Sequence, residues 1–108
     1  MRLICAIILL VIFSCNKLDV PKDTPRCIKK LIRNEMKGCL SKVYKYYYNN
    51  QVVYLFEPEN CPDELYYLYD EDCNLICSPD GGLSGLGDGT CPDFYQSAIN
   101  QELIWSKE

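Results

Sequence analysis

Apolar and polar positions divide this chain into regions of different character. Leu3 to Phe13 is an unbroken apolar run of eleven residues, and Asn16 to Thr24 is polar and contains Pro21. From Cys27 onward the apolar positions Cys27, Ile28, Leu31, Ile32 and Met36 recur at intervals of three and four. Lys29, Lys30, Arg33 and Lys37 take the opposite side. This spacing predicts an amphipathic helix over 25–37 with a solvated basic face. Thr24 is expected to cap it, Pro25 to occupy its first position and Gly38 to stop it.

Sequence with strand character follows. Val43 to Tyr48 holds four of the nine tyrosines, and Val52 to Phe56 is β-branched and aromatic. Asn49-Asn50-Gln51 between them is turn chemistry, since Asn tolerates positive φ, so the two runs predict a hairpin. Asn60-Cys61-Pro62-Asp63 interrupts the pattern, Leu65 to Tyr69 resumes it, and Asp70 to Asn74 turns it. Leu75-Ile76-Cys77 predicts a short strand, Ser78 to Pro92 a glycine-rich loop, Asp93 to Asn100 a helical turn and Glu102 to Trp105 a last strand. The expected fold is α+β, an N-terminal helix packed on a small antiparallel sheet and stabilised by disulfides.

The apolar run at the start is too short to span a bilayer, which needs about 20 helical residues. It fits the core of an export signal, with Arg2 before it and the small Ser14 behind it. Ile12-Phe13-Ser14-Cys15 resembles a bacterial lipobox, in which the cysteine is acylated and becomes the first mature residue. The domain organisation expected is therefore 1–14 lipoprotein signal peptide, 15–24 lipidated Cys15 and tether, and 25–108 one small domain. Cysteine parity agrees. Of the eight cysteines, Cys5 leaves with the signal and Cys15 carries the lipid. Cys27, Cys39, Cys61, Cys73, Cys77 and Cys91 remain as a disulfide framework in an exported chain.

Two pairings are excluded by distance. Cys27 and Cys39 bracket the predicted helix and lie roughly 18 Å apart, beyond the reach of a disulfide. Cys73 and Cys77 sit on largely extended chain, up to about 13 Å apart. The other pairings stay open.

Charge and composition narrow the function classes. The formal charge is −4 and becomes one unit more negative when Arg2 is removed, so no nucleic-acid partner is expected. There is no histidine, which removes the commonest general base and every imidazole zinc ligand. Cys73-x3-Cys77 is not a tight zinc knuckle, and Gly85, Gly87 and Gly89 lack the spacing and the lysine of a phosphate loop. No cofactor is expected. Asp70-x-Asp72-x-Asn74 reproduces the first ligands of a calcium loop, but Leu75 stands where that loop needs glycine, so these three are weak calcium candidates only. Asp70 and Asp72 serve as an acid–base pair only if one is buried.

Tyr44, Tyr46 and Tyr48 alternate onto one strand face, with Val43 and Tyr47 on the other. If the helix covers one face, the rings on the other offer an apolar body and a polar tip to a protein or glycan. The alternative is ordinary packing across the sheet. In the glycine loop, Asp80, Asp88 and Asp93 are expected to accept from the loop's own amides.

The segments Leu68-Tyr69-Asp70-Glu71-Asp72-Cys73-Asn74, Ile76-Cys77-Ser78-Pro79-Asp80-Gly81-Gly82 and Gly85 to Phe94 form a distinctive series, closed by Leu103-Ile104-Trp105. It resembles a family of small cysteine-rich exported proteins and lipoproteins of Bacteroidota, a domain of unknown function. This chain departs from the family at Asn60-Cys61-Pro62, where adjacent cysteines are common, and at Leu86, where lysine is common. The resemblance implies export and domain extent and assigns no catalytic residue.

The function expected is a lipid-anchored envelope protein, placed at the outer membrane, with a non-catalytic binding domain. The alternative is an inhibitor or periplasmic partner of an enzyme acting through the loop 78–92.

Overall fold

The computed structural model describes residues 18–107; the expected signal peptide over 1–14 and the expected lipidation site Cys15 lie outside the described residues. The fold is α+β. Its elements are helix α1 (Arg26–Glu35), strands β1 (Leu40–Tyr48), β2 (Gln51–Pro58), β3 (Tyr67–Asp70) and β4 (Leu75–Cys77), helix α2 (Phe94–Ser97) and strand β5 (Ile99–Ser106). The five strands form one sheet in the order β4-β3-β2-β1-β5, with every neighbouring pair antiparallel.

Local chemistry accounts for the meander β1 to β4. Asn49 and Asn50 both have positive φ, 50° and 64°, and Tyr48 pairs with Gln51 across them. A two-residue turn of this kind matches the twist of the strands it joins. The β3–β4 turn is held by Asp70, whose Oδ1 accepts from the amides of Asp72 and Asn74 at 2.9 Å each. β3 begins two residues later than Leu65, which instead makes an isolated bridge to Gly81.

The helix departs from expectation in three ways. It is a short helix of ten residues set inside the chain, and it follows a described lead-in instead of opening the chain. Thr24 is not its cap. Pro25 occupies the N-cap position with ψ 146°, no side chain caps the helix, and Thr24 is buried, its amide bonded to the Pro21 carbonyl at 3.1 Å. Gly38 is not its stop, because the helix ends at Met36 in right-handed geometry and Gly38 lies in the turn beyond.

Each sheet face carries a core. Ile28 and Ile32 of α1 are fully buried in a cluster with Leu40, Val43, Tyr54, Phe56 and Ile104. Leu18 and Val20 also pack there, and Asp23 pairs with Lys45 at 3.1 Å, so residues 18–24 lie on the domain. On the other face Tyr46, Tyr48, Val53, Leu55 and Leu68 meet Cys77, Cys91 and Phe94. This second core follows from the strand order. β4 and β5 are opposite edges of the sheet, so the chain between them must cross a face, and the glycine loop and α2 make the crossing. Phe94 anchors it, fully buried, with its ring edge-on to Tyr46 at 4.9 Å and to Tyr48 at 5.1 Å.

Three disulfides complete the frame: Cys27–Cys73, Cys39–Cys61 and Cys77–Cys91. Neither of the two pairings excluded by distance occurs. Cys27–Cys73 ties α1 to the β3–β4 turn, and Cys77–Cys91 closes the glycine loop at its base.

Candidate binding surface

Ser78 to Pro92 has neither helix nor strand, yet its backbone is engaged. The Asp88 amide donates to the Ser78 carbonyl at 2.8 Å, and the Asp88 carboxylate accepts from the Ser78 amide at 3.1 Å. The Gly87 amide donates to Gly81, while Gly82 donates to the Glu64 carbonyl and Tyr66 to that of Asp80. The loop is thereby laced to the chain entering β3. Gly87 is required where it stands. Its φ is +73°, and a Cβ there would fall 2.1 Å from the Ser78 carbonyl oxygen.

The aspartates divide their roles. Asp88 accepts from the Thr90 amide and hydroxyl as well as from Ser78, and these bonds hold its carboxyl below the usual carboxylate range. Asp80 accepts from the Gly81 amide at 2.8 Å and from the Tyr95 hydroxyl at 3.1 Å. Asp93 does not serve loop amides as expected. Its two oxygens accept from the hydroxyls of Tyr48 at 2.9 Å and Ser97 at 3.1 Å, and the Tyr48 bond lowers its pKa most.

Of the two readings of the alternating tyrosines, ordinary packing holds for most of the face. Tyr46 and Tyr48 are buried beneath Phe94, so packing explains them. A smaller patch survives at the border of the loop. Tyr44 and Tyr66 are half-buried, Tyr95 is exposed, and Glu57 and Asp80 stand among them. Burial raises the Tyr66 hydroxyl, and the charges of Glu57 and Asp80 raise it further. Burial likewise raises the Glu57 carboxyl, against the lowering influence of Lys42 opposite it on β1. The Tyr95 ring is half exposed, and partial burial of its hydroxyl together with the Asp80 carboxylate it bonds pushes that hydroxyl up. The patch thus presents neutral phenols beside carboxylates, able to donate and accept hydrogen bonds around apolar rings.

Beyond the patch the loop reaches outward. Leu83 and Leu86 are 89% and 78% exposed, held at the tip of a segment closed by Cys77–Cys91. Sequence reading marked the loop but missed Tyr66 and Tyr95 as its neighbours. They lie far apart along the chain, and only the crossing brings them together.

The weak calcium candidates form a turn. Besides its two amide bonds, Asp70 accepts from the Asn74 side-chain amide at 3.1 Å. Burial raises the Asp70 pKa, but the bonds from Asn74 and Asp72 outweigh it and the net shift is downward. Asp72 is exposed, and its own backbone amide caps Asp70. The basic residues Arg26, Lys30, Arg33 and Lys37 are exposed along α1 and just beyond it.

No characterised protein and no solved structure shows a significant match to the chain. The profile of a domain of unknown function (DUF6970) matches residues 29–107, which takes in most of α1, all five strands and the glycine loop. The chain belongs to that family, the domain of unknown function DUF6970.

Proposed function

We propose that the chain is a lipid-anchored bacterial envelope protein of the Bacteroidota type, held at the outer membrane through Cys15, whose domain is a non-catalytic binding module. The observation that carries the binding reading is the glycine loop, while the anchor rests on Ile12-Phe13-Ser14-Cys15 in the sequence. It is ordered by its own aspartates, closed by Cys77–Cys91, and displays Leu83 and Leu86 almost fully exposed. A loop already fixed in shape loses little freedom when a partner closes on it. Two leucines at its tip suit an apolar pocket on a protein, and the adjoining tyrosine–carboxylate patch suits the polar rim of such a contact. The three disulfides fit an oxidising compartment outside the cytoplasm.

The engaged carboxylates favour binding over catalysis. Asp70, Asp88 and Asp93 spend their oxygens on the protein's own amides and hydroxyls and titrate below their ordinary value, and the one carboxyl that burial raises, Glu57, faces Lys42 across the strand pair. A rigid, disulfide-closed loop is also the form an inhibitor presents, so an enzyme is the alternative partner.

Capture from detergent-solubilised envelope tests the reading. The wild-type domain should retain a partner that the double variant Leu83→Ser, Leu86→Ser loses. Capture of the same proteins by both would refute a loop-centred contact. For the anchor, Cys15→Ser should abolish acylation and leave unprocessed precursor; normal processing and normal membrane partition in that variant would remove the lipid from the account.

A further inference from the structure

On the sheet face away from the glycine loop, a cleft of about 90 Å³ opens between the end of α1, the start of β1 and strands β2 and β3. Phe56 lies buried in its wall with Tyr69 edge-on to it at 5.1 Å, and Tyr67 stands beside Tyr69 at 6.4 Å. Glu35 and Glu64 contribute carboxylates, and none of the nine lining residues is cationic. Among the described residues the one salt bridge is Lys45–Asp23, so neither glutamate is neutralised by an ion pair.

These features converge on one ligand class. Aromatic rings attract a cation through their faces, and the attraction grows when the site is partly desolvated. Carboxylates beside the rings complement the same charge. The volume is far below the roughly 300 Å³ of a cleft for a whole small molecule, but it accepts the end of one extended side chain. We propose that this cleft binds an alkylammonium group, the terminal part of a lysine side chain on a partner protein. Phe56, Tyr67 and Tyr69 form the aromatic wall, and Glu35 and Glu64 receive the ammonium. The electrostatics are consistent with this. Burial raises both tyrosine hydroxyls, and the next cause is the negative charge of Glu64 at Tyr67 and of Glu35 at Tyr69. The rings therefore stay neutral inside a negative field.

The loop backbone braces two lining residues, Glu64 and Leu65, but the loop-tip leucines Leu83 and Leu86 do not line the cleft. The test uses the oxidised domain, with backbone amide shifts followed by NMR while Nα-acetyl-lysine methylamide is added. Its uncharged counterpart, Nα-acetyl-norleucine methylamide, serves as the comparison. The lysine probe should give saturable shifts centred on residues 35, 39, 40, 56, 64, 65, 67 and 69, and should bind roughly tenfold tighter than the norleucine probe. Glu35→Gln with Glu64→Gln should remove most of that preference. Both substitutions keep the side-chain shape, and if the variant fails to fold, the two-probe comparison on the wild-type domain still decides. Equal binding of the two probes, or shifts scattered away from the cleft, would overturn the proposal. n-Butylammonium carries the same terminal group and should shift the same residues; its failure to do so would overturn the side-chain reading. Leu83→Ser, Leu86→Ser should bind the lysine probe unchanged, which separates this result from the fate of the loop reading.

Discussion

Replacing Gly87 by alanine tests the idea that the glycine loop is a built element. The perturbation has two parts. At φ +73° a residue with a Cβ is strained by roughly 1–2 kcal/mol. The added carbon would also stand 2.1 Å from the Ser78 carbonyl oxygen and 2.7 Å from both the Pro79 carbonyl carbon and the Asp80 nitrogen, all backbone atoms that no side-chain rotation can clear. Relief requires the Ser78–Asp80 segment to move. That breaks the paired bonds between Ser78 and Asp88, each contributing about 1 kcal/mol. The combined loss is about 3–4 kcal/mol, or at least about 12 °C in melting temperature for a domain of this size.

Gly85 provides the control. Its φ of +74° carries the same strain, but a Cβ there meets nothing within 4 Å. Gly85→Ala should cost the strain alone, roughly 1–2 kcal/mol, and so about 2 kcal/mol less than Gly87→Ala. Thermal melts followed by circular dichroism, with disulfides intact, compare the two. Equal losses would refute the reasoning, because the backbone of the loop would then not be held against Ser78.

Other expectations follow from the same structure. Replacing Cys77 and Cys91 together by serine should cost about 3 kcal/mol in urea denaturation, and replacing Cys27 and Cys73 about 4, because the second bridge closes the longer loop; the reverse order would contradict the chain-entropy origin. Asp70, Asp88 and Asp93 have folded-state pKa values below their unfolded ones, so the stability they contribute is complete above the unfolded value of about 3.9 and disappears as pH falls through the folded value. Asp88→Asn should accordingly flatten the acid side of a plot of urea midpoint against pH, and an unchanged slope would show that Asp88 is not so held. A calcium chelator should leave the melting temperature unchanged, since Asp70 is already occupied by the Asp72 and Asn74 amides; a fall of several degrees would restore the metal reading.

What could be read in advance divides by range along the chain. The hairpin at Asn49-Asn50, the turn at Asp70 to Asn74 and the strand Leu75–Cys77 rest on neighbouring residues, and each stands where local chemistry put it. Thr24 does not cap because its burial, a tertiary fact, outweighs its capping preference, and Pro25 meets the helix with extended ψ instead. The fate of the tyrosines depended on strand order. Once β5 pairs with β1, at the far side of the sheet from β4, Phe94 is carried over Tyr46 and Tyr48, and nothing near those tyrosines announces it. The patch of Tyr66, Asp80 and Tyr95 and the cleft at Glu35, Tyr67 and Tyr69 have the same origin, since each joins residues from separate elements.

The bridge pattern has a consequence for how such a chain matures. Cysteines emerging from an export channel in sequence order would meet as Cys27 with Cys39, Cys61 with Cys73 and Cys77 with Cys91. Only the last of these is native; the native bridges Cys27–Cys73 and Cys39–Cys61 are nested, one inside the other. An oxidant that acts as soon as thiols appear therefore traps wrong partners in the first half of the domain, and thiol–disulfide exchange must undo them. For a chain exported as proposed, correct bridging of the first half would call for a disulfide isomerase, whereas the glycine loop could be sealed by a simple oxidase. A cell lacking the isomerase should accumulate molecules with a finished loop on an unfinished domain.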